Sequence, residues 1–151
     1  MSDQQPTFQI EKIYVKDLSL ESPNAPEVFI QAEGPRLDVQ IGNTAAQFAD
    51  GLYEVTVTAT VTASAGEKTM FLVEATQAGI FQIRGVPEGE LDPLLGIACP
   101  NIIYPYLRET ISDVVTRGGF PAVLLAPVSF EALYAQRQQQ ADAEPRIEIA
   151  S

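Results

Sequence analysis

The chain has no histidine, which removes the commonest general base and the commonest metal ligand together. Neither a Ser-His-Asp nor a Cys-His arrangement can form. The one cysteine, Cys99, precedes Pro100 near a possible helix start, where a thiolate would be favoured. Set beside Ile97 and Ala98, it reads instead as a small core residue. A single cysteine also excludes an internal disulfide and any cysteine-based metal cluster. Glu88, Glu90 and Asp92 alternate in a turn but lack the spacing of a calcium loop, so they read as solvated acids. The glycines are dispersed, with no GxGxxG and no phosphate loop. These residues point away from catalysis and from any cofactor. What remains is recognition by surfaces.

Charge narrows the partners. Twenty acids against nine bases give a net charge of −11, and no Lys/Arg cluster offers itself to phosphates, so nucleic acid is not expected. An acidic surface serves solubility or docks a basic partner. The opening residues MSDQQPTFQI lack the basic and apolar regions of a signal peptide. The apolar region from Leu94 to Leu107 is broken at Pro100 and Pro105, too short to span a bilayer. The expectation is a cytoplasmic protein without membrane insertion. Its 151 residues suit one domain that buries about 70% of its unfolded surface.

The elements that position these surfaces are legible in the periodicities. Phe8–Lys16 alternates as a first strand, with Asp17 and Glu21 following it. Ser22–Pro35 holds three prolines and a glycine, and predicts a long extended connection pinned by Val28, Phe29 and Ile30. Leu37, Val39 and Ile41 alternate with Asp38 and Gln40 in a half-buried strand that Gly42-Asn43 breaks or bulges. Asp50-Gly51 predicts a hairpin turn. Tyr53, Val55, Val57, Ala59, Val61 and Ala63 then face one way, and a threonine ladder the other, read as a wetted outer face. A long strand, Thr69–Ile83, follows Ala65-Gly66-Glu67, with a bulge or bend expected at Ala78-Gly79.

The chain then turns helical. Ile102, Ile103, Tyr106, Leu107, Ile111, Val114 and Val115 recur at spacings of three and four, with Asn101 as N-cap and Gly118 as a left-handed stop. Asp113 precedes Arg117 by four residues, the favourable order for an ion pair. After the apolar connector Pro121–Val128, Ser129 caps a shorter helix, FEALYAQRQQQ. Strands followed by helices predict an α+β fold: a four-stranded antiparallel sheet with a long helix and a shorter C-terminal helix packed on one face. The expected organisation is a flexible N-terminus over 1–7, one domain over 8–140 and a disordered acidic tail over 141–151. Apolar patterning exceeds what one such core uses, which implies subunit contacts or an apolar groove.

Five motifs in order resemble the SecB protein-export chaperones. FQI(x)KIY(x)KD(x)S(x)E(x)PNAP spans Phe8–Pro26 and YEV(x)(x)(x)(x)TVTAS spans Tyr53–Ser64. GIF(x)I covers Gly79–Ile83, CPNI(x)(x)PY(x)RE covers Cys99–Glu109, and RG(x)FP(x)(x)(x)L(x)PV(x)F(x)AL covers Arg117–Leu133. The resemblance implies a cofactor-free, ATP-independent homotetramer, a dimer of dimers. Such a protein binds unfolded precursor proteins, keeps them competent for translocation and passes them to the SecA ATPase.

The resemblance also carries residues. It implies SecA docking at Asp17, Glu21, Leu72 and Glu74, against a basic SecA tail that holds its own zinc. It implies effects on subunit assembly at Val73, Ala75 and Gln77, and puts Thr110, Ile111, Val114 and Val115 of the long helix between dimers. Client-groove candidates are Phe29, Leu37, Val39 and Ile41, with Phe130 and Tyr134 of the last helix. The chain departs from some members in lacking a tryptophan in the crossover loop, where Glu33-Gly34 stands. Two other readings compete: an α+β small-ligand binding protein with an apolar pocket, and a SecB-like chaperone serving a toxin–antitoxin system.

Overall fold

The computed structural model describes residues 5–30 and 33–143. Four strands form one antiparallel sheet: β1 (Thr7–Glu21), β2 (Arg36–Ala49), β3 (Leu52–Ala65) and β4 (Lys68–Arg84), in the order β1-β4-β3-β2. Tight turns join β2 to β3 and β3 to β4, with Gly51 and Gly66 at φ 71° and 62° where a side chain would be strained. The proline-rich connection carries the chain from one edge of the sheet to the other. It is not wholly extended, because Glu27–Ile30 closes a short 3-10 helix that buries Val28.

The alternation in β3 translates directly into layers. Val55, Val57, Ala59, Val61 and Ala63 are fully buried under the helices, together with Val73, Ala75 and Phe81 of β4. Each valine or phenylalanine side chain taken from water at this depth contributes about 1.5–3 kcal/mol, and each alanine less. Two expected irregularities lie elsewhere. The sheet runs unbroken through Gly42-Asn43 and through Ala78-Gly79, while the register shifts fall at Phe48 in β2, at Glu11 and Lys16 in β1 and at Met70 in β4. Gly79 has another use: a Cβ there would lie 2.9 Å from the Phe81 ring. The first strand is also longer than its alternation suggests, so Asp17 and Glu21 are strand residues.

The long helix begins well before Asn101. A helical segment α1 (Glu88–Pro93), containing the three acids expected in a turn, runs through a π-helical turn (Leu94–Ala98) into α2 (Cys99–Arg117). Pro100 cannot donate to the preceding turn, and its ring would crowd that turn's carbonyl. The wider turn, in which the Cys99 N–H bonds the Leu94 carbonyl, relieves that clash. Pro105 lies inside α2, on the solvent side with Asn101. Ile103, Leu107, Ile111 and Val115, each four apart, are fully buried on β3 and β4. Tyr104 rather than Tyr106 belongs to this buried side, and Tyr106 is 51% exposed.

The helix ends one residue later than its glycines suggest. Gly118 is still right-handed, and Gly119 takes the left-handed conformation at φ 94°. The Gly119 and Phe120 N–H groups bond the Thr116 and Val115 carbonyls, which satisfies the helix end. Arg117 and Asp113 pair at 3.2 Å on the exposed side. Ser129 accepts a hydrogen bond from the Ala132 N–H and so caps α3 (Phe130–Ala143) as its position implies. The tail expected from 141 is helical as far as Ala143; residues 144–151 and 1–4 lie outside the described residues. No described helix is long and apolar enough to cross a membrane.

Candidate functional site: an acidic sheet face, an apolar groove and an uncovered edge

Three surfaces stand out. The first is the sheet face turned away from α2. Residues directly paired across strands share a face. Glu21 pairs with Leu72, which pairs with Thr62; Ser19 pairs with Glu74, which pairs with Thr60; Asp17 pairs with Thr76, which pairs with Thr58. The four expected docking residues therefore come together at one end of this outer face, spread over two adjacent strands about 4.8 Å apart. Asp17, Glu21 and Glu74 are exposed, and Leu72 is half-buried among them.

The threonine ladder forms the floor beside these acids. Thr58 bonds Thr76 at 2.9 Å, Thr44 bonds Thr56 at 2.6 Å, and Thr60 donates to Glu74 at 3.4 Å. Its hydroxyls are thus tied along the sheet and half-buried. Further along, Lys16 pairs with Glu54 at 2.8 Å and the Tyr14 hydroxyl donates to the same carboxylate. Lys16 first, and Tyr14 after it, hold the Glu54 carboxyl below the usual carboxylate range. Burial, reinforced by Glu54, pushes the Tyr14 phenol up to about 12.

The second surface is a groove on the helix side. Leu37 and Val39 pair with Ala63 and Val61, so they lie on the inner face, yet they remain 44% and 41% exposed at the β2 edge. Between them and the Pro121–Val128 connector run two apolar hollows of about 290 and 320 Å³. Tyr104 walls the first and donates its hydroxyl to the Ala126 carbonyl. Leu124, 79% exposed, stands on the rim. Phe29 closes the far end, half exposed and stacked on Phe120 with ring centroids 5.0 Å apart. Ile41 continues the line beneath α3, beside Leu133.

One groove candidate is corrected. Phe130 is fully buried, edge-on to Tyr104, and is core. Its position as the first residue of α3 aims it at the sheet. Tyr134 lies over Gly96, where a Cβ would come within 2.7 Å of its ring, and donates its hydroxyl to Asp92. It ties α3 to the π-helical turn. Leu124 and Tyr104 were not singled out from sequence. The signal for them was the proline-bounded run PAVLLAPV, whose extended backbone buries Val123 and Leu125 and turns Leu124 outward.

The third surface is the β1 edge. Phe8, Ile10, Val15 and Leu18 lie on the inner face but 40–46% exposed, because α2 sits over β3 and β4. An open apolar pocket of about 560 Å³ adjoins them, lined by Phe8, Val86, Leu94, Ile97 and Ile102 among others. The expected assembly residues divide. Val73, Ala75, Ile111 and Val115 are fully buried within the chain, so they offer no surface to another subunit. Gln77 is also buried, where it accepts a hydrogen bond from Thr110 at 2.9 Å. Val114 and Thr110 are half-buried on the flank of α2.

Cys99 is fully buried, and that burial pushes its thiol up to about 12, so it is not a nucleophile at neutral pH. Among the described residues no three acids or cysteines are grouped to hold a metal ion.

Comparison with known proteins places this chain in a family. The model for the preprotein translocase subunit SecB matches residues 1–141. A protein-export protein SecB from Methylobacillus flagellatus is 63% identical over 138 residues, which cover 91% of this chain and 88% of that one. The corresponding protein of Chromobacterium violaceum is 62% identical over 147 residues, covering 95% and 98%. Among solved structures, a SecB-like chaperone of Mycobacterium tuberculosis, bound to an antitoxin peptide, shares the fold at TM-score 0.68 and 19% identity. That match covers 81% of this chain and 91% of that one.

Proposed function

This chain belongs to the SecB family of protein-export chaperones, and from that premise we propose that it binds unfolded precursor proteins, keeps them competent for translocation and delivers them to SecA. It works as a homotetramer, a dimer of dimers, in the cytoplasm, without ATP or a cofactor. Family membership at this identity disfavours a small-ligand binding protein.

The observation that carries this reading is the separation of two unlike surfaces by one sheet. On the helix side Leu37, Val39 and Leu124 line open apolar hollows, with Phe29 stacked on Phe120 at their end. On the other side Glu21 and Glu74 flank Leu72, with Asp17 further along the same face. A shallow apolar groove accepts many side chains and demands no fixed shape, which suits an unfolded client. Four grooves engaged by one long chain gain through effective concentration, so each contact can be weak. The acidic face attracts a basic docking segment, with salt weakening it.

Assembly has its own support. An apolar edge strand of 15 residues is a surface that proteins cover. A second copy pairing there would bury the stripe Phe8, Ile10, Val15 and Leu18. The outward side of α2, with Tyr106 and Val114, then remains for the contact between dimers.

The test is whether the purified protein holds a reduced, urea-unfolded precursor soluble on dilution without ATP. Suppression of aggregation at about one tetramer per client is expected. Aggregation at the rate of buffer alone would refute the reading.

A further inference from the structure

The pairing of β1 with β4 contains a phase change. Tyr14 pairs with Ala78 and Val15 with Gln77, but the next pair is Asp17 with Thr76, and Lys16 is passed over. Side chains alternate along a strand, so one extra residue exchanges every side chain beyond it between the faces. With regular alternation from Tyr14, the side chains of Asp17, Ser19 and Glu21 would point under the helix, and Leu18 and Leu20 into solvent. With Lys16 as a bulge, Asp17 and Glu21 join Leu72 and Glu74 on the outer face. Leu20 points inward, where it meets the end of α2 at Gly118.

The bulge is gripped from across the sheet. Glu54 stands on β3, two strands away from β1, and its carboxylate receives Lys16 Nζ at 2.8 Å on one oxygen and the Tyr14 hydroxyl on the other. The residue that is passed over and the one two before it are thus fastened to a single group.

We propose that Glu54, Lys16 and Tyr14 are positioning residues for SecA docking: they hold the β1 bulge in the phase that presents Asp17 and Glu21 to the basic segment. The proposal rests on the docking reading above. Its strength is that it opposes simple electrostatics. Lys16 is a cation beside docking acids, so neutralising it makes the face more negative. Coulomb attraction alone would then tighten the binding of a basic segment. A positioning role weakens it.

The experiment titrates the zinc-loaded basic tail of SecA into the full-length chaperone at low salt by calorimetry. Lys16→Met is expected to weaken binding about three- to tenfold, with Lys16→Arg restoring it. In a cycle with Asp17→Asn and Glu21→Gln together, adding Lys16→Met should cost little more, because its effect runs through the contacts of those two acids. Tighter binding by Lys16→Met, or losses that simply add, would overturn the proposal. The docking reading fails differently, through an affinity unchanged by Asp17→Lys with Glu74→Lys. Client holding reports the fold throughout. If Lys16→Met loses it, Tyr14→Phe is read instead: the same direction of loss is expected, and unchanged affinity overturns the proposal.

Discussion

Thr110 of α2 donates a 2.9 Å hydrogen bond to Gln77 of β4, in the buried seam between helix and sheet. Gln77 is one of the positions where the family resemblance implies an effect on assembly, yet it is only 4% exposed within the chain. Val73 and Ala75 lie in the same seam. In the proposed tetramer, substitutions here would act on assembly through the seat of α2. Thr110→Val leaves the Gln77 oxygen without a partner and should cost about 1–3 kcal/mol in urea unfolding. Combining it with Gln77→Leu should cost less than the two singles together, and light scattering should show the tetramer shifted towards dimers in Thr110→Val.

The groove separates two kinds of apolar residue. Leu37→Asp and Val39→Asp change side chains that are half in solvent, so unfolding should shift by no more than about 1 kcal/mol while client holding falls several-fold. Phe130→Ala empties a fully buried site and should cost about 3–5 kcal/mol. Loss of holding by Phe130→Ala should therefore track unfolding, measured by circular dichroism, and be recovered at lower temperature.

Charge on uncovered faces should act on assembly first. Ile10→Lys and Val15→Glu on β1, or Tyr106→Glu on α2, sit at exposed positions. Analytical ultracentrifugation should show smaller species with near-native far-UV dichroism, with β1 variants giving monomers and the Tyr106 variant dimers.

Glu54 sets a pH dependence. Lys16 and Tyr14 hold its carboxyl below the usual range in the folded chain. A depressed carboxyl contributes stability above its unfolded value, near pH 4.3, that is lost as pH falls through the folded value. The wild-type protein should thus lose more stability than Glu54→Gln between about pH 5 and pH 3, read from urea midpoints at matched ionic strength. Equal losses would remove Glu54 from the account.

Which parts were legible from sequence follows from where each constraint resides. The β3 layers and the Ser129 cap are local, written in period two and in one hydroxyl before a helix, and they appear as expected. The β1 bulges at Glu11 and Lys16 are properties of the pairing with β4, so Phe8–Lys16 alone suggests a shorter, regular strand. Pro100 and Pro105 suggest a helix start at Asn101, but a π-helical turn admits the first and solvent the second. Phe130 and Tyr104 differ from Tyr134 and Tyr106 only in which way the helix is turned on the sheet, a tertiary choice. Asp17, Glu21, Leu72 and Glu74 came from the family resemblance, and their convergence depends on a register that spans the whole sheet.

The proposed arrangement puts client and SecA on opposite sides of one sheet. It is tested most directly by titrating the basic SecA tail into the chaperone, free and loaded with an unfolded precursor. Nearly equal affinity is expected in both states, lost on Asp17→Lys with Glu74→Lys and retained on Leu37→Asp. Displacement of the client by the tail, or an affinity indifferent to the charge reversals, would contradict it.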